Sequence, residues 1–370
     1  MFKAYKFRLY PNKEQEELIQ KTFGCCRFVY NQMLSYRKEI YDTQKKSMNK
    51  ISCNNYCNQV LKKEYEWLKE VDKFALTNAI YNMDNAYQRF FKGYSSYPKF
   101  KSKKNKHYSY TTNNQKNNIR IVDGKYIHLP KLKTLVRIKQ HRQIPKDGKI
   151  KSATISQNSS GKYYVSIMVE QEIKELPKNK FAIGIDLGLA DFAITSDGVK
   201  YNNPRYLQKS LNKLAKEQRK LSRKKKGSKN RNKQRMRVAK LYEKIANQRK
   251  DFLHKLSSEL INENQVICLE DLQIKDLLQN HELAKAISEV SWYEFRRQLE
   301  YKAKWYGRTI SFVDKYYPSS QICSNCGENT GKKTLNIREF DCPYCGKHHD
   351  RDINASINIL HEGLRLLSKE

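Results

Sequence analysis

Four cysteines in two matched pairs carry the clearest chemical signal in this chain. Cys323 and Cys326 form one C-x2-C pair, Cys342 and Cys345 form the other, and fifteen residues separate them. That spacing lets two tight turns present four thiolates tetrahedrally to one Zn²⁺. Gly327 and Gly346 each follow the second cysteine of a pair, where a metal knuckle must turn sharply. Four thiolates leave no open position for water, so the expected zinc is structural. A redox pair or free thiols is the bland alternative. His348 and His349 lie close enough in sequence to raise a mixed ligand set. Cys53 and Cys57 are one helical turn apart with no partner pair, and read as ordinary helix residues. Cys25, Cys26 and Cys268 read as core packing.

Three carboxylates form the second constellation. Asp186 ends the apolar run AIGID, Glu270 ends the apolar run VICLE, and Asp352 stands just before a helical pattern, INASINILHEGL. Acids at adjacent strand ends and at a helix start can converge on one point. Converging carboxylates repel unless cations neutralise them, and hard oxygen ligands suit Mg²⁺ or Mn²⁺. Two such ions about 4 Å apart activate water and stabilise the leaving oxygen of a phosphodiester without a nucleophilic side chain. Each acid also has a bland reading as a cap or turn residue. Asp271 reads as a cap for a helix after it, and Asp197 as a turn residue. Asp350 competes with Asp352 for the third role.

Residues 219–237 hold eleven cations and no acid: Arg219, Lys220, Arg223, Lys224, Lys225, Lys226, Lys229, Arg231, Lys233, Arg235 and Arg237. So dense a run of like charge favours contact with a phosphate backbone over a merely solvated face. A nuclear-localisation signal is the other reading. The whole chain agrees: 73 Lys and Arg against 38 Asp and Glu give a net charge of +35 over 370 residues. Such a chain repels itself unless a polyanion is present. No apolar run approaches the roughly 18 residues that span a bilayer, and the N-terminus lacks a signal-peptide core. A cytosolic protein with no membrane partner is therefore expected, in which cysteines serve as thiols or metal ligands.

Around these residues the pattern predicts an α/β chain. FKAYKFRLY at 2–10 reads as a strand ended by Pro11, residues 12–44 and 53–92 as helices, and Gly93 to Pro98 as a break. Short strands follow at Ile119–Val122, Tyr126–Leu129 and Leu135–Ile138, then a hairpin of Lys151–Gln157 and Tyr163–Glu170 turning at NSSGK. A helical block thus interrupts a strand-rich domain. Pro177–Lys180 reads as a linker. Beyond it come strands at FAIGID, at Phe192–Thr195, at VICLE and at RTISFVD. Helical stretches fall at about 205–262, 291–306 and 353–367.

These motifs together resemble one family, TnpB, the transposon-encoded relatives of type V CRISPR effectors that also carry the older name OrfB-type transposases. The resemblance runs over nearly the whole chain: YKFRLYPNKEQ at 5–15, FGCCRFVYN at 23–31, YPKFKSK at 97–103, GIDLGLADFAITSDG at 184–198, ICLEDL at 267–272, YPSSQICSNCG at 317–327 and CPYCGKHHDRDINASINIL at 342–360. It implies an RNA-guided, Mg²⁺-dependent DNA endonuclease with an RNase H-like (RuvC) fold. Asp186, Glu270 and Asp352 would be its metal-binding acids, with Asp352 chosen over Asp350 by its place two residues before Asn354. It implies a wedge-type β-barrel (1–11 and 107–178), a helical recognition insertion (12–106), a RuvC domain (179–322 and 346–370) and a zinc ribbon (323–345). It also implies a guide RNA from the transposon end that pairs with target DNA. Asn54, Tyr56 and the helix at 77–90 are candidates for reading a motif beside the target. A catalytically silent RNA-guided repressor and a DNA-joining transposase are the alternatives. The intact acid trio argues against the first, and the lack of a visible transposon-end-binding module argues against the second.

Overall fold

The computed structural model describes residues 1–104, 108–272, 279, 281–334 and 336–369. The chain divides into two compact units, Met1–Glu172 and Ile173–Glu370. The sequence placed this boundary at 178. Instead Leu176 donates its amide to Tyr306 O and Pro177 O accepts from Arg308, so the expected linker is pinned to the second unit.

In the first unit, β1 (Phe2–Tyr10) lies between β7 (Tyr163–Glu170) and β5 (Val136–Lys139), antiparallel to both. With β2 (Tyr108–Asn113), β3 (Arg120–Val122), β4 (Tyr126–His128) and β6 (Lys149–Gln157) it forms a seven-stranded sheet in the order β2-β6-β7-β1-β5-β4-β3. Among the described residues no ladder joins the outer strands β2 and β3, so the expected barrel is an open sheet.

Helix α1 (Lys13–Gln44) starts at a capping box in which Asn12 and Gln15 satisfy each other's backbone amides. Its buried face carries Ile19, Phe23, Cys26, Val29 and Met33 at helical spacing. The helix expected over 53–92 is broken. Helix α2 (Lys50–Tyr56) starts at the Asn49 cap and passes into a π turn at Cys57–Leu61. Helix α3 (Lys73–Phe91) starts anew where the Asp72 carboxylate accepts the Ala75 amide. A fresh N-cap is the local signal for that restart. Cys25, Cys26, Cys53 and Cys57 are all buried.

The second unit is built on a five-stranded sheet, β10-β9-β8-β11-β12. Strands β8 (Ala182–Asp186), β11 (Val266–Glu270) and β12 (Thr309–Val313) are parallel, and β9 (Asp191–Thr195) and β10 (Lys200–Asn202) add antiparallel edges. The helices are α4 (Tyr206–Ser222), α5 (Lys229–Glu263), α6 (His281–Val290), α7 (Trp292–Tyr306) and α8 (Arg351–Leu367). Phe192 packs edge-on against Phe252 and Phe295, with ring centroids 5.0 and 5.1 Å apart. A small hairpin, β13 (Glu339–Asp341) with β14 (His348–Asp350), leads into α8. Among the described residues no helix is long and apolar enough to cross a membrane.

Candidate functional site

Asp186 and Glu270 are the last residues of β8 and β11, whose register pairs Ile185 with Leu269 one step earlier. Side chains one position beyond a paired couple leave the sheet on the same face, with backbones separated by the ~4.8 Å strand spacing. The two acids therefore stand side by side at one end of the sheet. Burial raises the Asp186 carboxyl to about 7, and the charges of Glu270 and Asp352 push the same way, against Arg351 and the Leu187 amide. Burial also raises Glu270, opposed by the Ser319 hydroxyl, which donates to Oε1 at 2.7 Å. All three acids thus share one electrostatic neighbourhood.

Asp352 reaches that neighbourhood because α8 is pressed hard against the sheet. A Cβ on Gly184 of β8 would sit 2.1 Å from Ser356 O, and one on Gly363 would sit 2.4 Å from Cys268 Sγ. Only glycine permits so close an approach at these two points. Asp352 is not ahead of the helix, as its sequence position suggested, but inside the first turn. The cap is Asp350, whose Oδ1 accepts the amides of Asp352 and Ile353 and whose other oxygen pairs with Lys200. Capping occupies Asp350 and leaves Asp352 free to face its partners, Arg338 at 3.0 Å and Arg351 at 3.2 Å. Asp271, expected to cap a helix after it, pairs with Arg296; residues 273–278, on which that expectation falls, lie outside the described residues. Asp197 accepts the Thr195 hydroxyl in a turn, as expected.

The four cysteines form a compact cluster whose sulfurs all lie within 4.8 Å of one another. Cys323 and Cys345 are 3.7 Å apart, as are Cys326 and Cys342. Ligands of one tetrahedral zinc at the usual Zn–S length stand about 3.8 Å apart, so the geometry fits the ion. The Lys347 amide and the Asn325 side chain hold the Cys345 thiol below its ordinary range. Helix α8 grips the knuckle directly. Asn354 Nδ2 donates to Ile322 O while its Oδ1 accepts the Ser324 amide, and Asn358 donates to Ser319 O and Ile322 O. One helix therefore carries Asp352 and holds both the cysteine loop and the serine that binds Glu270.

The basic run is a hairpin, not one helix. α4 and α5 meet through Gln234 on Glu217 and Gln218 on Tyr242, and Gly227 turns the chain with φ of 87°. Arg231 is spent inside the turn, donating to Leu221 O and Lys224 O at 2.7 and 2.8 Å, and Lys220 pairs with Glu217. Arg219, Arg223, Lys225, Lys226, Lys229, Lys233 and Arg237 are exposed, while Lys224 and Arg235 are partly covered.

Family profiles match three stretches. Residues 165–281 match one described as "Probable transposase", 292–359 one described as "Cas12f1-like, TNB domain", and 1–46 one described as "Helix-turn-helix domain". A TnpB-like protein of Acanthamoeba polyphaga mimivirus is 24% identical over 97% of this chain and 73% of its own. A Streptomyces pristinaespiralis protein named as a candidate RNA-guided DNA endonuclease is 38% identical over 98% of this chain and 89% of its own. The chain belongs to the TnpB family. InsQ of Escherichia coli, named in the same terms, is 31% identical over 99% of this chain and 93% of its own. A Cas12f1 solved by cryo-EM with sgRNA and target DNA shares the TnpB fold here, with a TM-score of 0.65 at 15% identity over 97% of this chain and 98% of that one.

The stretch of this TnpB protein matched as helix-turn-helix is one strand followed by a single 32-residue helix, with no turn inside it. Sequence reasoning missed Arg338, Arg351 and Ser319 around the acids. Their signal was weak, since a lone Arg or Ser beside a motif is common. It also passed over Asn354 and Asn358, though two asparagines four apart on an apolar helix were a legible sign of one polar contact line.

Proposed function

We propose that this chain is an RNA-guided DNA endonuclease with an RNase H-like (RuvC) centre made by Asp186, Glu270 and Asp352. The observation that carries the reading is the convergence of these acids: two end adjacent parallel strands, and the charges of Glu270 and Asp352 both act on Asp186. The kinship with relatives named as candidate RNA-guided DNA endonucleases supports the guided activity.

An all-oxygen donor set fits Mg²⁺, with Mn²⁺ as a substitute. Bound there, the ions would supply water activation and charge neutralisation at the leaving oxygen. The chain's own residues do the positioning. Ser319 holds one oxygen of Glu270. Arg338 and Arg351 hold Asp352 and supply cationic donors where phosphate charge develops. The cysteine cluster takes a structural Zn²⁺ that fixes the loop Asn354 and Asn358 grip. Exposed cations of the α4–α5 hairpin contact a nucleic-acid backbone. The partners are a guide RNA from the transposon end and a target DNA.

In domain terms, 1–11 and 107–172 serve as the wedge, 12–106 as recognition helices, 173–322 and 346–370 as the nuclease, and 323–345 as the zinc ribbon. Sequencing the RNA that co-purifies with the protein tests the guided reading. A discrete species copied from DNA beside the gene is expected. A mixture reflecting bulk cellular RNA would contradict it.

A further inference from the structure

His349 lies against the cysteine cluster without belonging to it. His349 is 8% exposed, and its Nε2 stands 3.1 Å from Sγ of the buried Cys323. The ring is held in place by stacking on Phe340, with centroids 5.2 Å apart, and Lys333 caps the Phe340 face at 3.9 Å. Phe340 and His349 are also register partners in the β13–β14 hairpin.

The separation decides between two roles. A nitrogen and a sulfur sharing one tetrahedral zinc would stand about 3.6 Å apart, from the usual Zn–N and Zn–S lengths. The observed contact is shorter than that and sits in the range of a hydrogen bond to sulfur. The two cysteine pairs, at 3.7 Å, instead match the edge of a four-sulfur tetrahedron.

We propose that His349 is a positioning residue of the zinc site: Nε2–H donates to the Cys323 thiolate and holds it in the ligand geometry. A four-thiolate zinc site carries net negative charge, and N–H donors aimed at its sulfurs offset that charge and fix ligand direction. Cys345 has such donors in the Lys347 amide and Asn325. His349 supplies one to the buried Cys323. The chemistry also places the donor at a junction. Asp350, next in the chain, caps α8, and Asp352 follows two residues later. The ring thus joins the cluster to the turn that presents the third acid. This inference rests on the zinc reading above.

The test uses the full chain with Co²⁺ in place of Zn²⁺, and Zn²⁺ release to a chromogenic chelator. His349→Phe keeps a ring to stack on Phe340 and removes the donor; His349→Gln restores an N–H at the Nε2 position. The parent should give the charge-transfer absorption of a four-sulfur cobalt site. His349→Phe should release zinc about tenfold faster or more, the usual scale for losing an outer partner of a ligand. His349→Gln should stay close to the parent. Equal release by His349→Phe overturns the proposal, as does a parent spectrum of three sulfurs and one nitrogen, which would make His349 a ligand. If His349→Gln releases zinc as fast as His349→Phe, restoring an N–H at that position does not restore the site, and the proposal is wrong. A parent that takes up no cobalt overturns the zinc reading as well.

Discussion

Asp186 and Glu270 project from the ends of neighbouring parallel strands on the same face of the sheet, one residue past the paired Ile185 and Leu269. Burial and, without a cation, the neighbouring charges of Glu270 and Asp352 raise the Asp186 carboxyl from 3.8 to about 7. Between those two pH values the folded chain binds a proton that the unfolded chain has released. Stability from this group is therefore fully present below pH 4, is lost as pH rises, and the whole penalty stands above pH 7.

Asp186→Asn should remove the penalty. In the presence of EDTA at pH 8 the variant should be more stable than the parent by about 1–3 kcal/mol, since each tenfold change in proton affinity is worth about 1.4 kcal/mol before solvent screening. The difference should shrink towards pH 4. Mg²⁺ or Mn²⁺ should raise the melting temperature of the parent and not of the variant. A parent that melts above the variant at pH 8 in EDTA would contradict the electrostatic account.

Arg338 lies 3.0 Å from Asp352, whose side chain is 17% exposed, while Arg338 itself is half exposed. Arg338→Ala should leave RNA and target binding near parental levels and slow cleavage about 100-fold, the usual scale for losing a preorganised donor at developing charge. Single-turnover cleavage on saturating protein checks this. An unchanged rate would assign Arg338 to holding Asp352 alone.

Zinc removal should reach the acids through α8. Cys342→Ser should lose the bound zinc and lower the melting temperature of the chain by roughly 5 °C or more. Cleavage should fall with it, because Asn354 and Asn358 lose the ordered loop they grip. Metal analysis and calorimetry on the variant measure the first two effects. Unchanged stability and cleavage would separate the ribbon from the nuclease site.

Of the eleven cations at 219–237, those that face solvent are the ones available to phosphates. Replacing Lys225, Lys226 and Lys229 by Gln should reduce the slope of log K against log salt for RNA binding by up to about two or three. Arg231→Gln should do something different. It should destabilise the hairpin, because its guanidinium binds the Leu221 and Lys224 carbonyls, and leave the slope alone. A salt titration of RNA affinity distinguishes the two classes.

How much of this was legible beforehand depended on whether a signal was local. The cysteine spacing, and the acids closing apolar runs at Asp186 and Glu270, lie within a few residues and could be read directly. The break in the helix at 57–72 was legible only in part: Asp72 is a good cap, but nothing local announces the π turn at Cys57–Leu61. Asp350 and Asp352 could not be separated by spacing alone, because either can cap. The structure assigns the cap to Asp350 through its two amide contacts. Arg338 and Ser319 were out of reach, since their roles depend on contacts 14 and 49 residues away in sequence.

The central claim is that Asp186, Glu270 and Asp352 form one metal-dependent nuclease site. It is tested most directly by cleavage of a matched target DNA by the protein–RNA complex in Mg²⁺, with Asp186→Ala, Glu270→Ala and Asp352→Ala beside the parent. The account predicts cleavage by the parent, its loss on adding EDTA, and loss of at least 1,000-fold (a barrier increase of about 4 kcal/mol) in each variant with target binding retained. Parental cleavage by any one of the three variants would contradict it.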